Sequence, residues 1–231
     1  GCKLPWHFYE LAKWSAGLDI APIFVENSPT NRCNHAWIFC GYDFAHGHDL
    51  VEPELYGQMF LEMAQNGTKA VLFSGEGEPF THPKLETLIQ SAYNENLNVG
   101  LASNGSLAYP NRLEDVLPYL EFIRFSVDAG SEEIHKLIHG TKGGEYAKVL
   151  SNAYATLKIK KEKKLDVVVG IQYVLLKENI SDLENFLRDF TQHENSFDYI
   201  SIKPYSRNHL SHNRLDVDYS DVILFQIADR V

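Results

Sequence analysis

The sequence predicts an α/β fold, a partial (β/α)6 TIM-like barrel of parallel strands, and three observations carry that expectation. Short β-rich runs alternate along the chain with helical stretches of roughly ten residues or more. Every strand but the last is followed by a helix, the pattern of a parallel sheet with right-handed crossovers. Finally, several strands carry polar side chains on one face, which a sheet covered by helices on both sides would not accommodate.

The first strand runs from Ala21 to Glu26 and the second from Lys69 to Ser74. The third is Leu97 to Ser103, the fourth Phe122 to Asp128, the fifth Leu165 to Leu175 and the sixth Tyr199 to Lys203. Between them the helices are Pro53 to Gln65, His82 to Glu95, Asn111 to Tyr119, Glu145 to Lys160 and Ser181 to His193. Pro53 after Glu52, Pro83 after Thr81 and His82, and the run Ser181-Asp182-Leu183-Glu184 are helix-opening signals. In the fourth strand Arg124, Ser126 and Asp128 share one face and Ile123, Phe125 and Val127 the other. Ser201 and Lys203 oppose Ile200 and Ile202 in the sixth, and Gln172 is a lone polar residue in the apolar fifth. These polar groups converge on one interior, as in a barrel whose site lies at the C-terminal ends of its strands.

Composition bounds the function. The chain has 231 residues, 44% of them apolar and 23% charged, enough for one sizeable core in one large domain. Its 21 Lys and Arg against 31 Asp and Glu give a formal charge of -10, which argues against non-specific binding to nucleic acid or an anionic membrane. No apolar run is long enough to span a bilayer and no signal-peptide pattern opens the chain, so the expected location is the cytoplasm. The two methionines are Met59 and Met63, which suggests an excised or processed piece. Three cysteines cannot form a closed disulfide framework; Cys33 and Cys40 lie close together, as for metal binding or reactivity, whereas Cys2 stands apart without a role.

The chemistry concentrates after the first strand, in Ser28-Pro29-Thr30-Asn31-Arg32-Cys33-Asn34-His35-Ala36-Trp37-Ile38-Phe39-Cys40. This run resembles the cluster-binding loop of the radical S-adenosylmethionine (radical SAM) superfamily, C-x-x-x-C-x-x-C with an aromatic before the last cysteine. Cys33, Phe39 and Cys40 match the pattern and Trp37 occupies the middle cysteine position. Ser74-Gly75-Glu76-Gly77-Glu78-Pro79 is similar to the family's Gly-Gly-Glu-Pro element, with Glu76 in place of the first glycine. Ser103-Asn104-Gly105 resembles its T-N-G turn, and Arg124-Phe125-Ser126-Val127-Asp128-Ala129 its R-x-S-x-D-G stretch. Ser201-Ile202-Lys203-Pro204-Tyr205 is similar to the last strand of the partial barrel. Five elements in the right order at strand-to-helix junctions are more specific than any one.

The resemblance implies a radical SAM oxidoreductase or transferase core over residues 1–206, with a C-terminal extension, 207–231, that begins an accessory region. A 4Fe-4S cluster would be held by Cys33 and Cys40, with S-adenosylmethionine (SAM) chelating one iron and cleaved by one electron to a 5′-deoxyadenosyl radical. Phe39 would pack by the adenine, Gly75, Glu76, Gly77 and Glu78 would receive the SAM amino end, and Ser126 and Asp128 would hold ribose or carboxylate. Asn104, Gln172 and Lys203 complete the expected cofactor set. The electron donor would be a flavodoxin or ferredoxin and the substrate a small molecule or peptide.

Indole offers one N–H and no anionic lone pair to iron, so Trp37 cannot replace a thiolate. The alternatives are a substitution in an otherwise ordinary enzyme, a cluster-less pseudoenzyme acting as a binding module, or Cys2 entering as third ligand. Zinc is a separate alternative, because Cys33, His35, Cys40, His46 and His48 place two thiols and three imidazoles in one short segment. Past the sixth strand, Lys203, Arg207, His209, His212 and Arg214 concentrate positive charge, which suits either an anionic substrate or a solvated loop.

Overall fold

A computed structural model of the chain describes residues 7–191, 196–213, 215, 217 and 219. Cys2, Arg214, the end of the helix expected to reach His193, and most of the segment after residue 213 lie outside the described residues. Among the described residues no helix is long and apolar enough to cross a membrane.

Six parallel strands form one sheet, β1 (Phe24–Asn27), β2 (Ala70–Phe73), β3 (Asn98–Ser103), β4 (Phe122–Ser126), β5 (Val168–Leu175) and β6 (Tyr199–Pro204), ordered in space as in sequence. Such an order winds continuously in one direction, unlike a doubly wound sheet, whose order reverses at a switch point. The loop after β1 and Lys203 of β6 line the same cavity, so the sheet curls until its two ends approach.

Seven α-helices are described: α1 (Phe8–Ser15), α2 (Pro53–Gln65), α3 (Leu85–Asn94), α4 (Pro110–Val116), α5 (Glu132–His139), α6 (Glu145–Lys163) and α7 (Leu183–Thr191). Two of them, α1 and α5, lie in segments the sequence reading left unassigned. The signals for α5 are present: Ser131 caps its N-terminus by accepting from the Ile134 N–H, Glu132 and Glu133 occupy the first turn, and Gly140 ends it at φ +62°. Its apolar residues Ile134, Leu137 and Ile138 do follow helical spacing, but eight residues give only one such set, too short a window for periodicity to stand out. Prolines trim other helices: α3 starts at Leu85, after a 3-10 turn over Pro79–Thr81, and α4 passes into a 3-10 turn, Leu117–Tyr119, around Pro118.

The core lies between the outer sheet face and the helices. Val71, Phe73, Val99, Leu101, Ile123, Phe125, Val169, Ile171 and Tyr173 alternate along the strands and are nearly inaccessible, packed with Phe60, Leu88, Val149 and Phe186. Each such side chain stabilises the fold by about 1.5–3 kcal/mol. The inner face has a different composition. Phe122 crosses over Gly100 and Tyr199 over Gly170, where a Cβ would come within 2.4 Å and 2.1 Å of the rings, so two aromatics floor the lumen. Above them the inner face turns polar with Arg124, Ser126, Gln172 and Lys203. The expected polar interior is therefore real, and it opens at the C-terminal strand ends.

Candidate functional site

The loop after β1 is fastened to its neighbours by polar bonds from several elements. Ser28 Oγ accepts from the Glu76 N–H (3.1 Å), and the Arg32 carbonyl accepts from the Glu78 N–H (2.9 Å) and from Thr81 Oγ1 (2.9 Å). A Cβ on Gly77 would lie 2.4 Å from the Arg32 carbonyl and 2.5 Å from that of Thr30, so only glycine lets the two loops approach this closely. On the far side, Ala36 and Ile38 donate their N–H groups to the carbonyls of His139 and Ile138 in α5 (2.9 and 3.0 Å).

Glu78 is the keystone of the second loop. Its buried carboxylate accepts from the Phe80 N–H (3.1 Å), Ser103 Oγ (2.8 Å) and the Asn104 N–H (2.7 Å), joining the β2 and β3 loops. Burial raises its pKa above the ordinary carboxylate value, opposed by those three donors and by Arg112. Asn104 Nδ2 in turn donates to Asn34 Oδ1 (2.9 Å), binding the Ser103-Asn104-Gly105 turn to the Cys33 loop.

These loops and the inner strand faces enclose one cavity of about 310 Å³. Of the expected site residues, Cys33, Phe39, Cys40, Gly75, Glu76, Gly77, Glu78, Asn104, Ser126, Gln172 and Lys203 all line it. Both thiols are free and half-buried. Burial pushes the Cys33 thiol up to about 12, and it raises Cys40 as well; hydrogen bonds from backbone N–H groups pull both the other way. Thiolates here therefore need a cation to stabilise them, and ligation would release protons.

Asp128 departs from the expectation. Period-two alternation placed it beside Arg124 and Ser126, but β4 ends at Ser126 and Asp128 adopts φ +55°, which turns its side chain out of the lumen. It is fully buried, with Oδ1 accepting from the Val174 N–H at 2.6 Å and Oδ2 lying 3.8 Å from His139 Nε2. Burial pushes its pKa up to about 7, against the pull of the Val174 N–H, Lys203 and Arg124. It braces β4 against β5 and does not line the cavity.

The zinc alternative is also redistributed. His46 Nε2 lies 3.7 Å from Cys40 Sγ, His48 is exposed, and His35 turns away from the thiols to meet His135 and His139 of α5. The positive segment after β6 docks on the Cys40 loop through neutral residues that the charge pattern did not single out. Asn208 Nδ2 donates to the Gly41 carbonyl (2.7 Å), Ser211 Oγ to that of Cys40 (2.9 Å), and Asn213 Nδ2 to those of Trp37 and Cys40 (3.2 and 3.1 Å). Two further cavity residues escaped the candidate set. Arg124 Nε is buried without a hydrogen-bond partner among the described residues, and Tyr205 stacks edge-on to Phe39 at 6.4 Å. Arg124 belongs by sequence to the polar face and to the R-x-S-x-D-G-like stretch, and its position two residues before Ser126 places it in the lumen.

A curled six-stranded parallel sheet, with paired thiols, glycine-rich turns and lumenal polar groups around one cavity, defines a (β/α)6 protein with its site at the strand ends. The chain belongs to the Radical SAM superfamily, whose family description matches residues 27–190.

Among curated relatives, a UPF0026 protein of Helicobacter pylori is 24% identical over 147 residues, covering 54% of this chain and 46% of the relative. The chain spans about half the length of the curated relatives it matches. SuiB of Streptococcus suis, solved bound to S-adenosylmethionine, superposes with a TM-score of 0.73 at 15% identity over 100% of this chain and 53% of that one. Native anSMEcpe with bound AdoMet superposes with a TM-score of 0.64 at 18% identity, over 80% of this chain and 52% of that one. Likeness at these identities shows the shared fold.

Proposed function

We propose that this chain is the partial-barrel core of a radical SAM protein that binds S-adenosylmethionine in the cavity, and that Trp37 leaves its iron-sulfur cluster short of a ligand. The observation that carries this reading is the single cavity wall shared by Cys33, Cys40, Trp37, the Gly75–Glu78 turn and Ser126. The donor set fits a 4Fe-4S cluster in part. Two thiols are present, and the middle position of the family pattern holds an indole, which cannot ligate iron. That indole lies 5.2 Å from the Phe39 ring, on the same wall as the thiols.

S-adenosylmethionine suits the remaining wall. Carbonyl groups of the Gly75–Gly77 turn can accept from its ammonium group, because the Glu78 carboxylate is already committed to three protein donors. Ser126 and Gln172 pair across β4 and β5 and can serve ribose hydroxyls or the carboxylate, with positive charge from Arg124 one level below them and from Lys203 one level above. Phe39 offers an apolar face for adenine. When bound, a complete cluster supplies the electron that cleaves the sulfonium; in this chain that activity is impaired while the SAM pocket persists. The open side between β1 and β6 admits a peptide or a small molecule as substrate, and residues 207–231 begin an extension that belongs to a larger protein.

Trp37 itself favours a second reading, a cluster-less binding module. Anaerobic reconstitution with iron and sulfide separates the two. Brown absorbance, bound iron and 5′-deoxyadenosine release would support a weakened enzyme, and a colourless protein that still binds SAM would support the module. Loss of SAM binding in both the native chain and a Trp37→Cys variant that carries iron would sink both.

A further inference from the structure

We propose that His35, His135 and His139 form a second metal site, distinct from the thiol pair and bordering its cavity only through His35, in which a divalent transition cation such as zinc clamps the Cys33 loop to α5. All three imidazoles are at most 4% exposed, and one ring nitrogen from each lies within 4.8 Å of the other two. His135 and His139 stand four residues apart on one face of α5, and His35 reaches them from the loop after β1. Zinc takes imidazole nitrogen readily, and three histidines with a fourth, smaller ligand form a familiar set.

The hydrogen-bond pattern within the cluster favours a cation over protons. His139 Nε2 lies 2.8 Å from the Val127 carbonyl and therefore carries its hydrogen there, which leaves Nδ1 as a lone pair. That lone pair faces His35 Nδ1 at 2.9 Å. If His35 Nδ1 carries the hydrogen, it meets the Trp37 N–H donor, 3.4 Å away, with a second N–H. Its Nε2 then presents a lone pair towards the Glu145 carboxylate, 4.0 Å away. Neither nitrogen of His135 has a hydrogen-bond partner among the described residues.

A cation resolves the contact between the two Nδ1 atoms, provided the Trp37 N–H turns away from His35. It takes the Nδ1 lone pairs of His35 and His139, which already lie near ligand-to-ligand spacing, and frees His35 Nε2–H to point at Glu145. The Val127 carbonyl and Glu145 then act as outer partners that fix the ring orientations, an arrangement typical of zinc-bound histidines. His135 stacks on His139 at 3.9 Å and 18° and must tilt to aim its lone pair. Glu145 and Asp128, 3.8 Å from His139 Nε2, supply the opposing negative charge.

Burial keeps the imidazoles neutral, the state a ligand requires, although the carboxylates that face them favour the charged form. The facing groups are Glu132 and Glu145 at the starts of α5 and α6, Asp128 after β4, and Trp37 and Tyr146 among the aromatics. The sequence reading missed this site because its zinc alternative looked only within the Cys33 to His48 segment, and α5 had not been recognised.

The test uses the full chain with Cys33→Ser and Cys40→Ser in a Cys2→Ser background, which removes all three thiols from the count. Titration with cobalt(II) should give one equivalent bound, with visible d–d bands and no sulfur charge-transfer absorption, displaceable by zinc. Zinc should raise the melting temperature of this protein. His135→Gln, which breaks no protein hydrogen bond, should weaken binding by at least a hundredfold, and Glu145→Gln by about tenfold as an outer partner. The proposal fails if the triple variant binds no cobalt, or if the affinity is unchanged in a His135→Gln protein whose circular dichroism is native.

Discussion

One eight-residue loop, 33–40, faces two environments, and the contrast between them explains more than either does alone. Its sulfur-bearing side, with Cys33 and Cys40, opens on a cavity that a cofactor can enter. Its nitrogen-bearing side, His35, borders the same cavity but is buried and turns its ring towards the histidines of α5. Soft, half-buried donors wait on one side for something to stabilise their charge, while on the other neutral imidazoles already sit at near-ligand distances. Trp37 belongs to both sides: its ring lies 5.2 Å from Phe39 on the cavity wall and 5.1 Å from His139 on the sealed one.

The largest expected effect breaks that contrast at Trp37. Trp37→Cys gives the loop a third thiol, and after anaerobic reconstitution iron analysis should rise to about four per chain, against a clearly lower value for the native chain. An unchanged iron content would mean that the cavity is unsuited to the cluster for reasons beyond residue 37.

Next in size is Glu78→Ala, which strands the donors of Phe80, Ser103 and Asn104 in a buried junction. It should cost about 3 kcal/mol or more of stability in urea unfolding, because the cavity side depends on this carboxylate. A loss near zero would show that the β2 and β3 loops are held by other contacts.

A smaller effect probes the sealed side through pH in the metal-free protein. Burial holds His35 at about 3, His135 at about 4 and His139 well below its ordinary value, with the neighbouring imidazoles adding to the effect for His35 and His139. The unfolded chain takes up these protons below about pH 6.5, so stability is full above that pH and is lost as pH falls from there towards 3. Asp128, raised to about 7, works the other way: its contribution falls as pH rises from about 4 to 7. Glu78, raised in direction, acts in the same sense as Asp128. Three imidazoles against two carboxyls leave a net rise with pH below 6.5. His135→Gln should flatten the slope of unfolding free energy by about one proton, ~1.4 kcal/mol per pH unit; an unaltered slope would place His135 in solvent.

The smallest expected effect sharpens the boundary of the cavity. Ser126→Val should weaken SAM binding about tenfold by calorimetry, the loss of one hydrogen bond, whereas Asp128→Asn should change it by no more than about twofold. The opposite ranking would return Asp128 to the ligand.

Much of this was legible from local pattern. The strands, their parallel order, and the glycine-rich and polar turns at their C-terminal ends carry signals within a few residues, because strand alternation and turn chemistry are properties of adjacent backbone units. Asp128 shows where such reasoning stops: period-two alternation holds only while the residue is paired in a ladder, and one positive φ after Ser126 turned the next polar side chain to the opposite side. His35 and His139 lie 104 residues apart and share no local signature. Likewise, nothing near Asn208, Ser211 or Asn213 announced that they would bind carbonyls of the Cys40 loop. Composition and spacing along the chain therefore settled the fold and the elements around the cavity. Which donors face that cavity and which are sealed behind it followed from packing, because burial and long-range hydrogen bonding depend on neighbours that the order of residues does not bring together until the chain has folded.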